Sequence, residues 1–137
     1  MRKILLASHG NLAEGLAHTA EMITGLKGCM DYLCLYMDDE DPDQKISNYF
    51  SGVREDDQVF VFTDLIGGSV NQKMLPYTAK KNILLFSGMN LSMVLSAVTL
   101  DTQTAVSEDI ETIISDAKNG IQFMNHFQAV KTQCDEF

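Results

Sequence analysis

Three short stretches of the chain hold residues that could do chemistry: Ser8-His9-Gly10-Asn11, Thr63-Asp64-Leu65-Ile66-Gly67-Gly68-Ser69 and Gly88-Met89-Asn90. A carboxylate bound to one imidazole nitrogen fixes the tautomer and leaves the other nitrogen bare as a nucleophile or ligand. His9 and Asp64 are the pair this sequence offers for that role. Gly67 and Gly68, followed by Ser69 at a helix start, can present backbone N–H groups to an anion, phosphate above all. Each residue also has an ordinary use. A loop histidine can simply be solvated, an aspartate can cap a helix, and Gly-Gly can make a turn. Joint placement decides between the two, and that depends on the elements around them.

Those elements alternate. Apolar runs over 3–8, 30–36, 58–63 and 82–87 read as strands, and the absence of polar alternation fits strands buried on both faces. Helices are expected over 12–26, then after Asp41 as N-cap with Pro42 at the first helical position. There Ile46, Tyr49, Phe50 and Val53 repeat at helical spacing. A further helix spans 69–79, kinked or shortened by Pro76. Leu91, Val94, Leu95 and Val98 mark another helix, and Ile110, Ile113, Ile114 and Ala117 mark the last. The run 121–124, after the breaker Asn119-Gly120, has strand character. The order β-α-β-α-β-α-β-α-α-β predicts an α/β fold, a doubly wound, mainly parallel sheet with helices on both faces. In such a sheet the first and third strands lie side by side, and chemistry sits beyond their carboxyl ends. His9 and Asp64 are therefore expected at one rim. His18, inside a helix, and His126, near the end, read as surface or packing residues.

Composition narrows the partners. The 137 residues, 45% hydrophobic and 21% charged, suit one domain over 1–137. A formal net charge of -9 argues against a nucleic-acid partner and favours a basic protein surface. Cys29, Cys34 and Cys134 lack CxxC spacing. Without a signal-peptide pattern ahead of them, they are expected as reduced thiols of a cytoplasmic protein. The apolar runs fall well short of the roughly 20 residues that a membrane span needs.

Several chemistries place a histidine after a first strand. A histidine phosphatase would carry an arginine where Ser8 stands, and a tetrapyrrole chelatase would want a second histidine at another strand end. A receiver domain would need an acidic pair after strand 1, and a dinucleotide site would need GxGxxG. None fits. The stretches ILLASHGNLAEGLAHTAEMI (4–23), VFVFTDLIGGS (59–69) and SGMNLSMVL (87–95) together resemble the mannose-type IIA component of the bacterial phosphoenolpyruvate:sugar phosphotransferase system. The likeness runs through nearly the whole chain in order. Val70 and Ser92 stand where members of that family often have proline, a difference expected to touch helix geometry and not chemistry.

The resemblance implies a phosphotransferase whose His9 takes a phosphoryl group from the histidine phosphocarrier protein and passes it to a IIB component, and through that to the membrane IIC and IID components. It implies that Asp64 orients His9 and that Ser69 stands beside the phosphoryl group. Gly10, Gly67, Gly68 and Ser69 would hold the phosphoryl oxygens. No metal or cofactor is called for, since a phosphohistidine is already activated and transfer depends on aligning two nitrogens. The resemblance also implies a homodimer with a C-terminal strand, antiparallel to the other four, exchanged between subunits. The protein would be cytoplasmic, beside the membrane transporter complex. Two other readings share the fold. One is the phosphotransfer subunit of a dihydroxyacetone kinase, whose corresponding loop is typically one glycine shorter. The other is a non-catalytic interaction module, against which His9, Asp64 and Ser69 speak.

Overall fold

Helices cover both faces of a parallel sheet whose strands run in the order β2-β1-β3-β4. The structure, a computed structural model, describes residues 1–101 and 104–126. The strands are β1 (Arg2–His9), β2 (Asp31–Leu35), β3 (Gln58–Thr63) and β4 (Ile83–Phe86), and the helices are α1 (Leu12–Thr24), α2 (Pro42–Ser51), α3 (Ser69–Met74), α4 (Leu91–Thr99) and α5 (Val106–Asn119).

The central strands split their side chains between two cores, as a period of two requires. Ile4 and Leu6 of β1, with Phe60 and Phe62 of β3, face α1, α4 and α5. Leu5 and Ala7, with Val59 and Val61, face α2 and α3. This is why β1 and β3 read as unbroken apolar runs. Ala13, Ala17 and Ala20 recur on the inner face of α1, and their small side chains let the helix lie close to the sheet. The two cores also report the winding. The chain steps from β1 outward to β2, returns past β1 to β3, and continues to β4. Right-handed crossovers in opposite directions put α1 on one face and α2 and α3 on the other. The reversal falls between β1 and β3, the switch point where a ligand crevice opens.

Local rules set the element ends. The Asp41 carboxylate accepts the Asp43 N–H at 3.0 Å, with Pro42 opening α2 as expected. Gly25, in the left-handed conformation, stops α1 two residues before the expected limit at 26. The stretch 69–79 is not one helix. Pro76 has no N–H for the carbonyl four residues back, so α3 ends at Met74 and a 3-10 helix continues over Leu75–Ala79 with the proline in its first turn.

The strand expected over 121–124 does not form within the chain. The Ile121 N–H bonds to Lys118 O at the end of α5, residues 121–123 have no regular structure, and Met124–His126 form a 3-10 turn. A lone four-residue run gains strand hydrogen bonds only from a sheet edge, and none of the described strands pairs with it. Ile121, Phe123 and Met124 are left exposed. Cys29 and Cys34 are free thiols, and Cys134 lies outside the described residues. Among the described residues no helix is long and apolar enough to cross a membrane.

Candidate active site

His9 is the last residue of β1, and Asp64 directly follows β3. The register pairs Ala7 with Thr63, so the two residues leave the sheet side by side at the switch point. Asp64 Oδ2 accepts both the His9 backbone N–H at 2.8 Å and the His9 Nδ1–H at 2.7 Å, while Oδ1 accepts the Leu65 N–H at 2.8 Å. Burial alone would raise the Asp64 carboxyl, but these hydrogen bonds, with the nearby imidazole, hold it below the usual carboxylate range. An ionised carboxylate only accepts, so the ring proton belongs on Nδ1. The neutral imidazole then accepts at Nε2 from the Ser69 hydroxyl, 2.9 Å away. The His9 side chain is 48% exposed and that of Asp64 12%, so the ring meets solvent far more than its anchor does.

Buried polar groups hold the loop between Asp64 and Ser69. Asn71, in the first turn of α3, donates through Nδ2 to Thr63 Oγ1 at 3.0 Å and accepts the Gly67 N–H at 3.2 Å. Thr63 in turn donates to Phe86 O at 3.0 Å, and its own carbonyl accepts the Met89 N–H at 3.0 Å. The ends of β3, β4 and α3 are thereby tied together under Ser69. Gly67 has φ 72° and Gly10 has φ 61°, backbone conformations that glycine adopts without strain. Ser8 is fully buried, and its Oγ accepts the Ala13 N–H at 2.8 Å, capping α1 where Asn11 makes no side-chain cap bond.

Three of the backbone donors expected for phosphoryl oxygens are already engaged. The Gly10 N–H bonds to Leu35 O at 2.9 Å, Gly67 to Asn71 Oδ1, and Gly68 to Leu65 O at 3.0 Å. These glycines shape the loops and do not offer free N–H groups. The ladder of α3 opens with the Gln72 N–H on Gly68 O at 2.9 Å, so the donors left at this end are those of the first turn, beginning with Ser69.

Tyr36 is a residue the sequence reading missed. It follows β2 directly, and its ring stacks on His9 with centroids 5.0 Å apart and planes 17° from parallel. It is the single non-glycine residue with positive φ among those described, at 63°. For a bulky side chain that conformation costs about 1–3 kcal/mol. An aromatic at the end of the strand beside the histidine strand was the available signal. His18 sits in α1 with its ring edge-on to Tyr32, 5.7 Å away, far along the helix from this rim.

Sequence and fold together find counterparts among known proteins. Residues 3–114 match the EIIA-man family, described as the PTS system fructose IIA component. The chain belongs to this family. It is thus a mannose-class IIA component of the phosphotransferase system, a phosphotransfer protein of sugar transport that works with other components of that system such as IIB.

Solved structures agree with that placement. A putative phosphoenolpyruvate-dependent sugar phosphotransferase system permease from Klebsiella pneumoniae is 28% identical, with TM-score 0.87 over 91% of this chain and 92% of the other. A PTS IIA protein associated with the fucose utilization operon of Streptococcus pneumoniae is 28% identical, with TM-score 0.76 over 90% and 93%. The mannose/sorbose-specific IIA subunit from Enterococcus faecalis, 21% identical with TM-score 0.77 over 89% and 93%, shares the fold.

Proposed function

We propose that this IIA component carries a phosphoryl group on His9, taken from the histidine phosphocarrier protein and delivered to a IIB component. The observation that carries the reading is the pair of hydrogen bonds at the ring nitrogens of His9, Asp64 at Nδ1 and Ser69 at Nε2. With its proton fixed on Nδ1, the ring has a lone pair only at Nε2, pointing outward. Nε2 attacks the donor's phosphorus, and the new N–P bond forms as the donor's N–P bond breaks in line. The ring gains positive character as it does so, and the Asp64 carboxylate balances that charge across Nδ1–H. The Ser69 hydroxyl, which caps Nε2 in the resting site, swings from the nitrogen to a phosphoryl oxygen. Delivery to IIB is the same step reversed, and no residue needs a metal to perform it.

The surroundings favour a protein partner. Leu12, Met37, Leu65 and Ile66 are exposed on the segments that follow β1, β2 and β3, and apolar side chains grouped about a polar centre are typical of docking surfaces. Asp38, Asp39 and Glu40, also exposed, favour a basic face on that partner. We place the protein in the cytoplasm, as a single domain and as a homodimer whose C-terminal segments are exchanged to add an antiparallel strand. The exposed Ile121 and Met124, and an outer edge of β4 with which no described strand pairs, support the exchange. Incubation with phosphoenolpyruvate, enzyme I and the phosphocarrier protein, followed by intact-mass measurement, tests the function. One acid-labile phosphoryl group is expected, and no gain in mass would overturn the reading.

A further inference from the structure

The hydrogen bonds at Nδ1 and Nε2 fix which way Nε2 points but do not touch the faces of the imidazole. We infer that Tyr36 is the positioning residue for the faces, and that the backbone of residue 36 is held in its left-handed conformation to place the ring there. The inference rests on the phosphocarrier reading of His9, and its chemistry concerns the same site.

Three observations carry it. The Gly10 N–H bond to Leu35 O ties the end of β2 to the residue after His9, so the chain must leave the sheet at once. It does so at Tyr36, whose φ of 63° is one that only glycine and, less readily, asparagine or aspartate adopt at ease. The side chain that accepts this conformation does not turn into the core. It lies half exposed, nearly parallel to the His9 ring at 5.0 Å. An unfavourable backbone carrying an exposed aromatic makes little sense for stability alone, whereas strain of this kind gathers where geometry serves a site. A stacked phenol ring resists tilting of the imidazole out of the Asp64–Ser69 plane, and its negative face meets a ring that becomes cationic during transfer.

Three variants of the full chain separate this role from a structural one: Tyr36→Phe, Tyr36→Leu and Tyr36→Gly. Each is measured for kcat and KM of phosphoryl acceptance from the phosphocarrier protein, for Tm, and for NMR relaxation of the His9 ring carbons. The phenylalanine variant should stay within about twofold of the parent in kcat, because the aromatic face is what acts. The glycine variant should melt no lower, since its backbone strain is relieved, yet lose about tenfold in kcat with a more mobile imidazole. The leucine variant should lose kcat as well. An unchanged kcat and an equally rigid imidazole in the glycine variant would overturn the inference. A loss confined to KM would also overturn it, because that is the mark of a docking contact. If the parent accepts no phosphoryl group, the phosphocarrier reading fails, while ring relaxation still judges Tyr36.

Discussion

Two hydrogen bonds on one carboxylate oxygen give Asp64 both a backbone and a side-chain hold on His9. Asp64→Asn keeps the size of the group but offers an N–H or a neutral oxygen where an anion stood. The amide can then favour the wrong tautomer, and nothing balances the cationic ring. Phosphoryl transfer is expected to slow by roughly 10²–10⁴-fold at matched Tm, measured by quenched-flow labelling. Because the carboxyl is held below its usual range, it stays ionised throughout neutrality. Titration of the carboxylate should therefore contribute nothing to the pH dependence of the deficit between about pH 5 and 8. The stabilisation from Asp64 is present above the ordinary carboxylate pKa of about 3.9 and is lost as pH falls through the lower folded value. The variant should accordingly lose less stability on acidification than the parent. A deficit that vanished at either end of the neutral range would contradict this account. His9 and Asp64 were legible in the sequence because each borders a strand end that apolar runs make visible, and Ser69 because it opens the helix after the Gly67-Gly68 turn. Tyr36 and the engaged N–H groups of Gly10, Gly67 and Gly68 were not, since φ angles and hydrogen-bond partners depend on how separate loops converge.

Helix α5 is pinned to the sheet by a charge pair far from the site. Arg2 Nη2 lies 2.8 Å from Asp109 Oδ2, Asp109 is fully buried, and the guanidinium stacks over Phe60 with its carbon 4.8 Å from the ring centroid. Arg2 Nε also donates to Gln58 Oε1 at 2.8 Å, while Arg2 Nη1 and Asp109 Oδ1 are buried without a partner among the described residues. Removing one member strands the other, so Asp109→Ala should cost about 3–5 kcal/mol in urea unfolding. Replacing both, as in Arg2→Met with Asp109→Leu, should recover most of that loss. A single variant as stable as the parent would show the pair to be incidental. Helical spacing in the sequence located α5, yet nothing in it marked Asp109 as buried, because the residue reads there as a favourable charge in a first helical turn. Pro76 was legible as an interruption of a helix. That the chain continues past it as a 3-10 helix follows from packing, with Tyr77 stacked on Phe50 at 4.2 Å.

At the scale of the molecule, the alternation of strand and helix was enough to foresee the parallel sheet, its two covered faces and the rim where chemistry would lie. The stretch 121–124 was not foreseen as well, because so short an apolar run forms a strand only where a sheet edge pairs with it, and none of the described strands does. Light scattering should find a dimer for the full chain, and a version ending at Gly120 should be monomeric or less stable. A truncated chain that stayed dimeric and equally stable would remove the exchange. The central claim is that His9 alone carries the phosphoryl group, and the most direct measurement is labelling of histidine variants by the phosphorylated phosphocarrier protein. His9→Ala should take up no label, while His18→Ala and His126→Ala should label like the parent. Label persisting on His9→Ala would contradict the account.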